Sequence, residues 1–247
     1  MKIIWIITLF PNYFDSLINF GITGSALRGE RGAGVELKTV QLRNYTCNDY
    51  KGVDDSPYGG GAGMVIRADV LKEALMKGVV EAGNYGENFR DSLHIVFPGP
   101  RGKVWDNSSC KDFANEFGKE NSKDLVFICG RYEGIDERFL NLYVDEQISI
   151  GDYILTGGEL ATMVIVDSSL RFFNGVLGNK ESASLESFQA NLLEHPQYTR
   201  PKSFEGIDVP EILLSGHHLN IFKYQKEESL RLTKLHRPDL LAKKDKE

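Results

Sequence analysis

Cysteine is scarce in this chain of 247 residues, which contains only Cys47, Cys110 and Cys129. An odd number of cysteines without a CxxC pair predicts neither a disulfide framework nor a zinc site, and it favours a reducing compartment. Long apolar runs are also missing. Residues 1–10 are apolar, but they are far shorter than the roughly 20 residues of a membrane span and lack the features of a secretory signal. We therefore expect a cytoplasmic protein with no membrane partner.

Two common nucleotide-binding patterns do not occur. The chain has no GxGxxG fingerprint, so an ordinary nicotinamide site is not expected. The glycines of YGGGAGM, residues 58–64, are not followed by Gly-Lys-Ser/Thr, which excludes a Walker phosphate loop. Such glycines present backbone N–H groups to an anion or a ring in some proteins and form a flexible loop in others, and both interpretations stay open.

The chain also lacks an excess of positive charge: 35 Asp and Glu outnumber 29 Lys and Arg, and the net charge is −6. Phosphate binding normally needs a basic surface, so this charge argues against a nucleic-acid partner. The distribution of charge weakens that argument. From Tyr198 onward the chain has ten Lys and Arg against eight Asp and Glu, a net of +2, and the residues before it carry −8. A nucleic-acid surface and an ordinary solvated surface explain this basic segment equally well.

The chain does contain a regular alternation of strand-like and helix-like segments. Apolar runs predict strands at residues 3–9, 35–42, 93–97, 125–129 and 144–150. Helical patterns predict helices from Pro11 and over residues 68–80, 107–117 and 158–172. Strands that alternate with helices indicate an α/β fold with a mostly parallel sheet.

The character of the sequence changes after this alternation. Residues 174–204 are polar, contain Gly and Ser and have two prolines near their end, which is typical of a linker. Residues 209–241 have the pattern of two or more helices. We therefore predict an α/β domain over residues 1–173, a linker over 174–204 and a small helical domain over 205–247.

Three glycine-bearing segments follow predicted strands: residues 98–102 (PGPRG), 130–134 (GRYEG) and 149–159 (SIGDYILTGGE). Ligands of open α/β sheets bind outside the carboxyl ends of the strands. Glycine clusters survive mainly where the chain turns tightly or where a ligand approaches the backbone. The three segments therefore predict one pocket lined by backbone groups, which suits a nucleoside-like cofactor.

The strings CGRYEGIDER, SIGDYILTGGEL, PYGGGAGM, PQYTRP and RPDLL closely resemble the bacterial tRNA (guanine-N1)-methyltransferases of the α/β-knot, or SPOUT, superfamily. The resemblance runs from Phe10 to about Leu241. It implies a homodimer, a trefoil knot in the sheet near the cofactor, S-adenosylmethionine as cofactor and tRNA as partner. The implied reaction is methylation of N1 of the guanosine immediately 3′ of the anticodon, position 37.

The resemblance also implies the residues of the site. The positions that correspond to those that contact or shape the cofactor in the family are Pro100, Gly130, Glu133, Gly134, Ile150, Gly151, Tyr153, Leu155, Gly157 and Gly158. Arg171, in DSSLRF, matches the arginine placed at the guanine. Glu186, in LESF, matches a position that is aspartate in familiar relatives.

The chemistry explains why the reaction needs these residue types. N1 of guanine carries a proton at neutral pH, so a carboxylate is needed as general base, and negative charge then moves onto O6, where an arginine stabilises it. The sulfonium methyl group is already activated, so the transfer needs no metal, although magnesium remains a possible aid to the RNA. The sequence shows no metal site.

Several alternatives stay open at this stage. Arg171 also fits a helix C-terminal cap, and Glu186 also fits a solvated linker residue, with Glu181 as the rival base. A related knotted enzyme would methylate a ribose 2′-hydroxyl instead of the base. A relative that has lost the base would bind RNA without catalysis, and the glutamate in place of aspartate keeps this possibility alive.

Overall fold

The computed structural model describes residues 1–46, 52–119, 121–177 and 186–243. Its strands in chain order are β1 (Lys2–Thr8), β2 (Val35–Gln41), β3 (Asp54–Asp55), β4 (Val65–Ile66), β5 (Leu93–Val104), β6 (Asp124–Ile128), β7 (Glu146–Ser149), β8 (Ser203–Phe204) and β9 (Ile207–Asp208). The main sheet has the order β2–β1–β6–β5–β7, and every neighbouring pair is parallel. The predicted α/β class with a mostly parallel sheet is therefore confirmed.

The α-helices of the described chain are α1 (Asp15–Asn19), α2 (Gly21–Leu27), α3 (Ala68–Leu75), α4 (Phe89–Ser92), α5 (Asn107–Phe117), α6 (Glu137–Tyr143), α7 (Gly158–Leu170), α8 (Glu211–Leu214), α9 (His218–His236) and α10 (Pro238–Lys243). The helix predicted from Pro11 begins as a 3-10 turn, Pro11–Phe14, before α1. The single helix predicted over 68–80 is instead α3 followed by a π-helix, Met76–Glu81.

Both faces of the main sheet are buried. Trp5 and Ile7 of β1 pack on one face in a cluster that includes residues of α3 and α6. Ile4 and Ile6 pack on the other face with residues of α5 and α7. A strand that is buried on both faces has a continuous apolar sequence instead of alternating apolar and polar residues. This explains why the apolar run at residues 3–9 predicts β1.

Strand β5 extends further than predicted, to Val104 instead of residue 97. Ile148 of β7 lies opposite both Pro98 and Lys103, so the four residues between them leave the ladder. A Cβ at Gly102 would lie 2.3 Å from the backbone nitrogen of Ile148, so only glycine fits there. Proline and glycine within a strand usually indicate a loop, and this is why the sequence pattern ended the strand too early.

The chain forms two compact units, Met1–Gly178 and Asn179–Glu247. The first contains the main sheet, and the second contains β8, β9 and the helices α8 to α10. The boundary predicted between residues 204 and 205 falls inside the turn of the β8–β9 hairpin, whose pairing joins Phe204 to Ile207.

Candidate functional site

A cavity of about 370 Å³ lies at the irregular part of β5 and just beyond the ends of β6 and β7. Its size falls in the range of roughly 300–1,000 Å³ that is usual for small-molecule sites. The structure brings together all ten residues predicted for the cofactor, which line this cavity: Pro100, Gly130, Glu133, Gly134, Ile150, Gly151, Tyr153, Leu155, Gly157 and Gly158. Their role in binding stays a prediction, but their common location is a property of the fold.

Two of the glycine segments meet backbone to backbone at the cavity wall. The N–H of Gly158 donates to the carbonyl oxygen of Gly130 at 2.8 Å, and Arg131 pairs with Gly157 in an antiparallel bridge. A Cβ at Gly158 would lie 3.0 Å from both the Cα of Cys129 and the nitrogen of Gly130. A side chain at residue 158 would force the two segments slightly apart, so their close approach favours glycine there.

A buried ion pair lies behind this contact. Nε of Arg131 is 2.9 Å from Oε2 of Glu159, and the two side chains are 13% and 1% exposed. Oγ1 of Thr8 donates to Glu159 at 2.8 Å, and Nη1 of Arg131 donates to the carbonyl oxygen of Thr156 at 3.3 Å. Glu159 stands in the first turn of α7, where the helix dipole favours a carboxylate.

The surroundings of Arg131 keep its guanidinium charged. Burial alone lowers the pKa of Arg131, but the hydrogen bond that it donates to Tyr13 and the ion pair with Glu159 outweigh this effect, so the pKa is raised. The neighbouring Cys129 thiol is fully buried, and this burial, together with the charge of Glu159, raises its pKa well above the ordinary value. Cys129 is therefore held as an unreactive thiol.

The sequence interpretation missed the Arg131–Glu159 pair. Arg131 and Glu159 are 28 residues apart in sequence, and Thr8 precedes Glu159 by 151 residues. No sequence periodicity relates residues at such separations. One signal was available: Glu159 is an acidic residue in the first turn of a helix that is otherwise mostly apolar. A charge in such a position needs a partner if it is buried.

The YGGGAGM segment lies outside the lining of the cavity and supports its wall. The N–H of Glu133 donates to the carbonyl oxygen of Met64, and the N–H of Ile66 donates to that of Gly134, both at 3.0 Å. A Cβ at Gly63 would lie 2.4 Å from Cγ of Glu133. These contacts show that the loop packs against Glu133.

The two predicted catalytic residues are placed differently from the cofactor residues. Arg171 follows the last residue of α7, with its guanidinium 5.6 Å from the ring of Phe172. Since α7 has 13 residues and an α-helix rises about 1.5 Å per residue, Arg171 is roughly 20 Å along the helix from Gly158. Glu186 is half-buried and belongs to the second unit. Glu181 lies outside the described residues.

Within the described ranges, no group of three or more His, Cys, Asp or Glu side chains is arranged to hold a metal ion. Among the helices of that part of the chain, none has the length and apolar character needed to cross a membrane. Cys110 and Cys129 are buried free thiols, and Cys47 lies outside the described residues.

A parallel α/β sheet with glycine loops around a cavity near the carboxyl ends of its strands is the architecture in which many α/β proteins bind a small ligand. Residues 1–243 match the family described as tRNA (Guanine-1)-methyltransferase TrmD. The chain therefore belongs to this family, and the resemblance found in its sequence is confirmed. Family membership implies the use of S-adenosylmethionine.

Three curated relatives named tRNA (guanine-N(1)-)-methyltransferase show how far this similarity extends. The protein of Clostridium tetani is 47% identical over 240 residues, which cover 96% of this chain and 91% of the relative. That of Clostridium botulinum (strain Loch Maree) is 46% identical over 238 residues, with coverage of 96% and 91%. That of Clostridium novyi is 45% identical over 246 residues, with coverage of 98% and 94%. The prediction of a tRNA (guanine-N1)-methyltransferase is thereby confirmed.

Proposed function

We propose that this chain transfers a methyl group from S-adenosylmethionine to N1 of the guanosine immediately 3′ of the tRNA anticodon. The observation that supports this proposal most strongly is the common location of the ten family cofactor positions around one cavity. The proposal further places the trefoil knot of the family at the loops that surround this cavity. A tRNA substrate would place the enzyme in the cytoplasm.

The residues of the cavity fit S-adenosylmethionine. Side chains of Phe97, Ile148, Ile150 and Leu155 supply apolar surface for an adenine ring, and the glycine segments supply backbone donors and acceptors. Gly134 has φ +120°, and no atom lies within 4 Å of the position that a Cβ would take. Residues with a side chain rarely adopt this φ, so glycine lets the chain turn here at the edge of the cavity. The bound cofactor would supply a methyl group already activated by its sulfonium.

The remaining chemistry falls to side chains. The carboxylate of Glu186 takes the proton from N1 of guanine, and Arg171 stabilises the negative charge that develops on O6. With the proton held by Glu186, the electron pair of N1 would be free to accept the methyl group that the bound cofactor supplies. The proposal includes no resident metal, and magnesium enters it only as a counter-ion of the tRNA.

The position of Arg171 supports a site that is shared between two copies of the chain. An arginine side chain cannot span the roughly 20 Å that separates the two ends of α7, so Arg171 would act at the cavity of a partner. Leu160 and Val164, one turn apart on α7, are each 47% exposed. A helix that is apolar on all sides is normally buried. We therefore propose a homodimer in which this face of α7 is covered by the second copy.

The exposed face extends beyond α7. Oγ1 of Thr23 in α2 donates to Asp167 in α7, so the two helices are neighbours. Phe20, which precedes α2, and Ile22 within it are also exposed. The apolar surface available to a second copy thus includes both helices.

The proposal assigns residues 205–247, which belong to the second unit, to tRNA. The basic side chains Lys223, Lys226, Arg231 and Lys234 lie on α9, and Arg237 follows it. Two of them are also paired with acids, Arg231 with Glu228 and Arg237 with Asp239. We retain the predicted division of labour: residues 1–173 for the cofactor, 174–204 for the active-site linker and 205–247 for the tRNA.

Nucleoside identification tests the proposal. The protein is incubated with unmodified tRNA transcript and methyl-labelled S-adenosylmethionine, and the RNA is digested to nucleosides. We expect the label in N1-methylguanosine. Label in a ribose 2′-O-methyl nucleoside would favour the other knotted reaction, and unlabelled RNA would favour a non-catalytic RNA-binding protein.

A further inference from the structure

The guanidinium of Arg131 is enclosed by two separate segments of the first unit, residues 10–13 and 156–159. Its Cζ lies 4.6 Å from the ring centre of Phe10 and 5.3 Å from that of Tyr13, both of which follow β1. Glu159 at the start of α7 forms the ion pair, and the carbonyl oxygen of Thr156 accepts a hydrogen bond. One side chain thus connects the ends of β1 and β6 to the loop that precedes α7.

Arg131 also packs directly against the loop at Gly157. A Cβ on Gly157 would lie 2.2 Å from Nε and 2.5 Å from Cδ of Arg131. Gly157 itself lines the cavity. Arg131 lines the cavity as well, so the arginine and the Gly157 loop form adjoining parts of its wall.

We propose that Arg131 and Glu159 are positioning residues of the cofactor cavity, and that their ion pair holds the loop at Gly157 in the shape that receives S-adenosylmethionine. This inference rests on the proposed cofactor site. The pair acts through Gly157 and the Thr156 carbonyl. Pre-organisation of this kind reduces the ordering that binding would otherwise require.

Glu159→Gln tests the inference, because the amide keeps the size of the side chain and an oxygen for Thr8 but removes the charge. We expect the dissociation constant of S-adenosylmethionine, measured by calorimetry, to rise roughly 10- to 100-fold, as small displacements of a binding group do. The turnover number at saturating cofactor should change far less than KM for the cofactor. The matched control is Glu73→Gln, which removes the exposed ion pair with Lys77 in α3 and should leave both constants unchanged.

The double variant Arg131→Met/Glu159→Gln separates positioning from simple stability. Removing both buried charges avoids an unpaired ion, so thermal stability should return towards that of the wild type. Methionine cannot donate to the Thr156 carbonyl, so cofactor affinity should stay weak. If Glu159→Gln alone does not fold, the cofactor affinity of the folded double variant still tests whether the pair positions the cavity.

Two results would overturn the inference: wild-type affinity in Glu159→Gln, or recovery of affinity together with stability in the double variant. A wild-type protein that does not bind S-adenosylmethionine at all would instead count against the proposed function. The two failures are therefore distinguishable.

Discussion

A single added methyl group at Gly157 should disturb the cofactor cavity, because its carbon would collide with Arg131 at 2.2 Å. We expect Gly157→Val to abolish S-adenosylmethionine binding in calorimetry. Gly52→Val is the matched control, since the nearest atom to a Cβ there is 3.9 Å away. Lys226→Ala on α9 should also bind the cofactor normally. Loss of binding in Lys226→Ala with normal binding in Gly157→Val would refute the assignment of the cavity.

Glu186 provides the second test at the scale of single residues. A positioned general base contributes roughly 10²- to 10⁴-fold to rate, so Glu186→Ala and Glu186→Gln should lower the turnover number by that factor. Cofactor affinity should remain nearly unchanged. Glutamate and aspartate have similar pKa values of about 4.3 and 3.9, so geometry and not basicity separates them. Glu186→Asp should therefore keep substantial activity.

The control for this prediction is Glu181→Gln, five residues earlier in the sequence. Normal turnover in Glu186→Gln together with an inactive Glu181→Gln would show that the family register on this segment is displaced. Normal turnover in both variants would show that the N1 proton leaves by another route.

At the scale of elements, a hydrogen-bonded chain joins β1, the turn after the π-helix and β6. Nε1 of Trp5 donates to the hydroxyl of Tyr85 at 2.9 Å, and that hydroxyl donates to Oδ2 of Asp124 at 2.6 Å. Removing the hydroxyl leaves two partly buried polar groups without their partner. We expect Tyr85→Phe to lower the free energy of unfolding by about 1–3 kcal/mol in urea denaturation. Tyr58→Phe, at a fully exposed tyrosine, should change it little.

The same tyrosine predicts a pH dependence. Burial and then the hydrogen bond to Asp124 raise the pKa of Tyr85. In the unfolded chain the phenol ionises near its ordinary pKa of about 10. The unfolded state therefore loses this proton first, and the contribution of Tyr85 to stability should be complete below pH 10 or so and decline above it.

The comparison of wild type with Tyr85→Phe isolates this effect. Burial lowers the pKa of Lys2, although the charge of Asp124 acts to raise it. Lys2 therefore makes the free energy of unfolding increase with pH, and it does so in the wild type and in the variant alike. The difference in unfolding free energy between the two should therefore shrink as the pH rises above about 10. A difference that does not change with pH would show that the phenol ionises alike in both states.

The elements that sequence patterns predicted well are those whose cause is local. Helix α5 has its predicted bounds, 107–117, and its start is capped by Asp106, whose side chain accepts from the N–H of Ser109. The five sheet strands follow from apolar runs. The extension of β5 beyond residue 97 depends instead on Ile148 pairing twice with it, and no local pattern encodes a partner 50 residues away.

In the candidate site, too, the features with a local cause were predictable and those that depend on distant residues were not. Glycines at strand ends predicted one pocket at that edge of the sheet, because parallel strands bring their carboxyl ends together. For the Arg131–Glu159 pair the sequence offered only the acidic residue at the start of an apolar helix, and nothing local indicates which residue, 28 positions earlier, pairs with it. The identity of the cofactor and the roles of Arg171 and Glu186 came from the family resemblance, because no property of their sequence neighbourhood distinguishes them from a helix cap and a solvated residue.

At the scale of the whole molecule, the proposed homodimer predicts complementation between two inactive chains. In a mixed dimer of Arg171→Ala and Gly157→Val, one site combines an intact cavity with an intact arginine, and the other site carries both defects. Activity in tRNA methylation should therefore reappear when the two variants exchange subunits. Absence of activity despite demonstrated exchange would show that each chain completes its own site.

The central claim, that this chain methylates N1 of the guanosine immediately 3′ of the anticodon, has a direct test in primer extension. N1 lies on the Watson–Crick edge of guanine, so a methyl group there stops a reverse transcriptase at the modified nucleotide. After incubation of an unmodified tRNA transcript with the protein and S-adenosylmethionine, we predict a new stop at position 37. The stop should be absent without the cofactor and with the Gly157→Val protein. Full-length extension, or a stop at a different guanosine, would contradict the account.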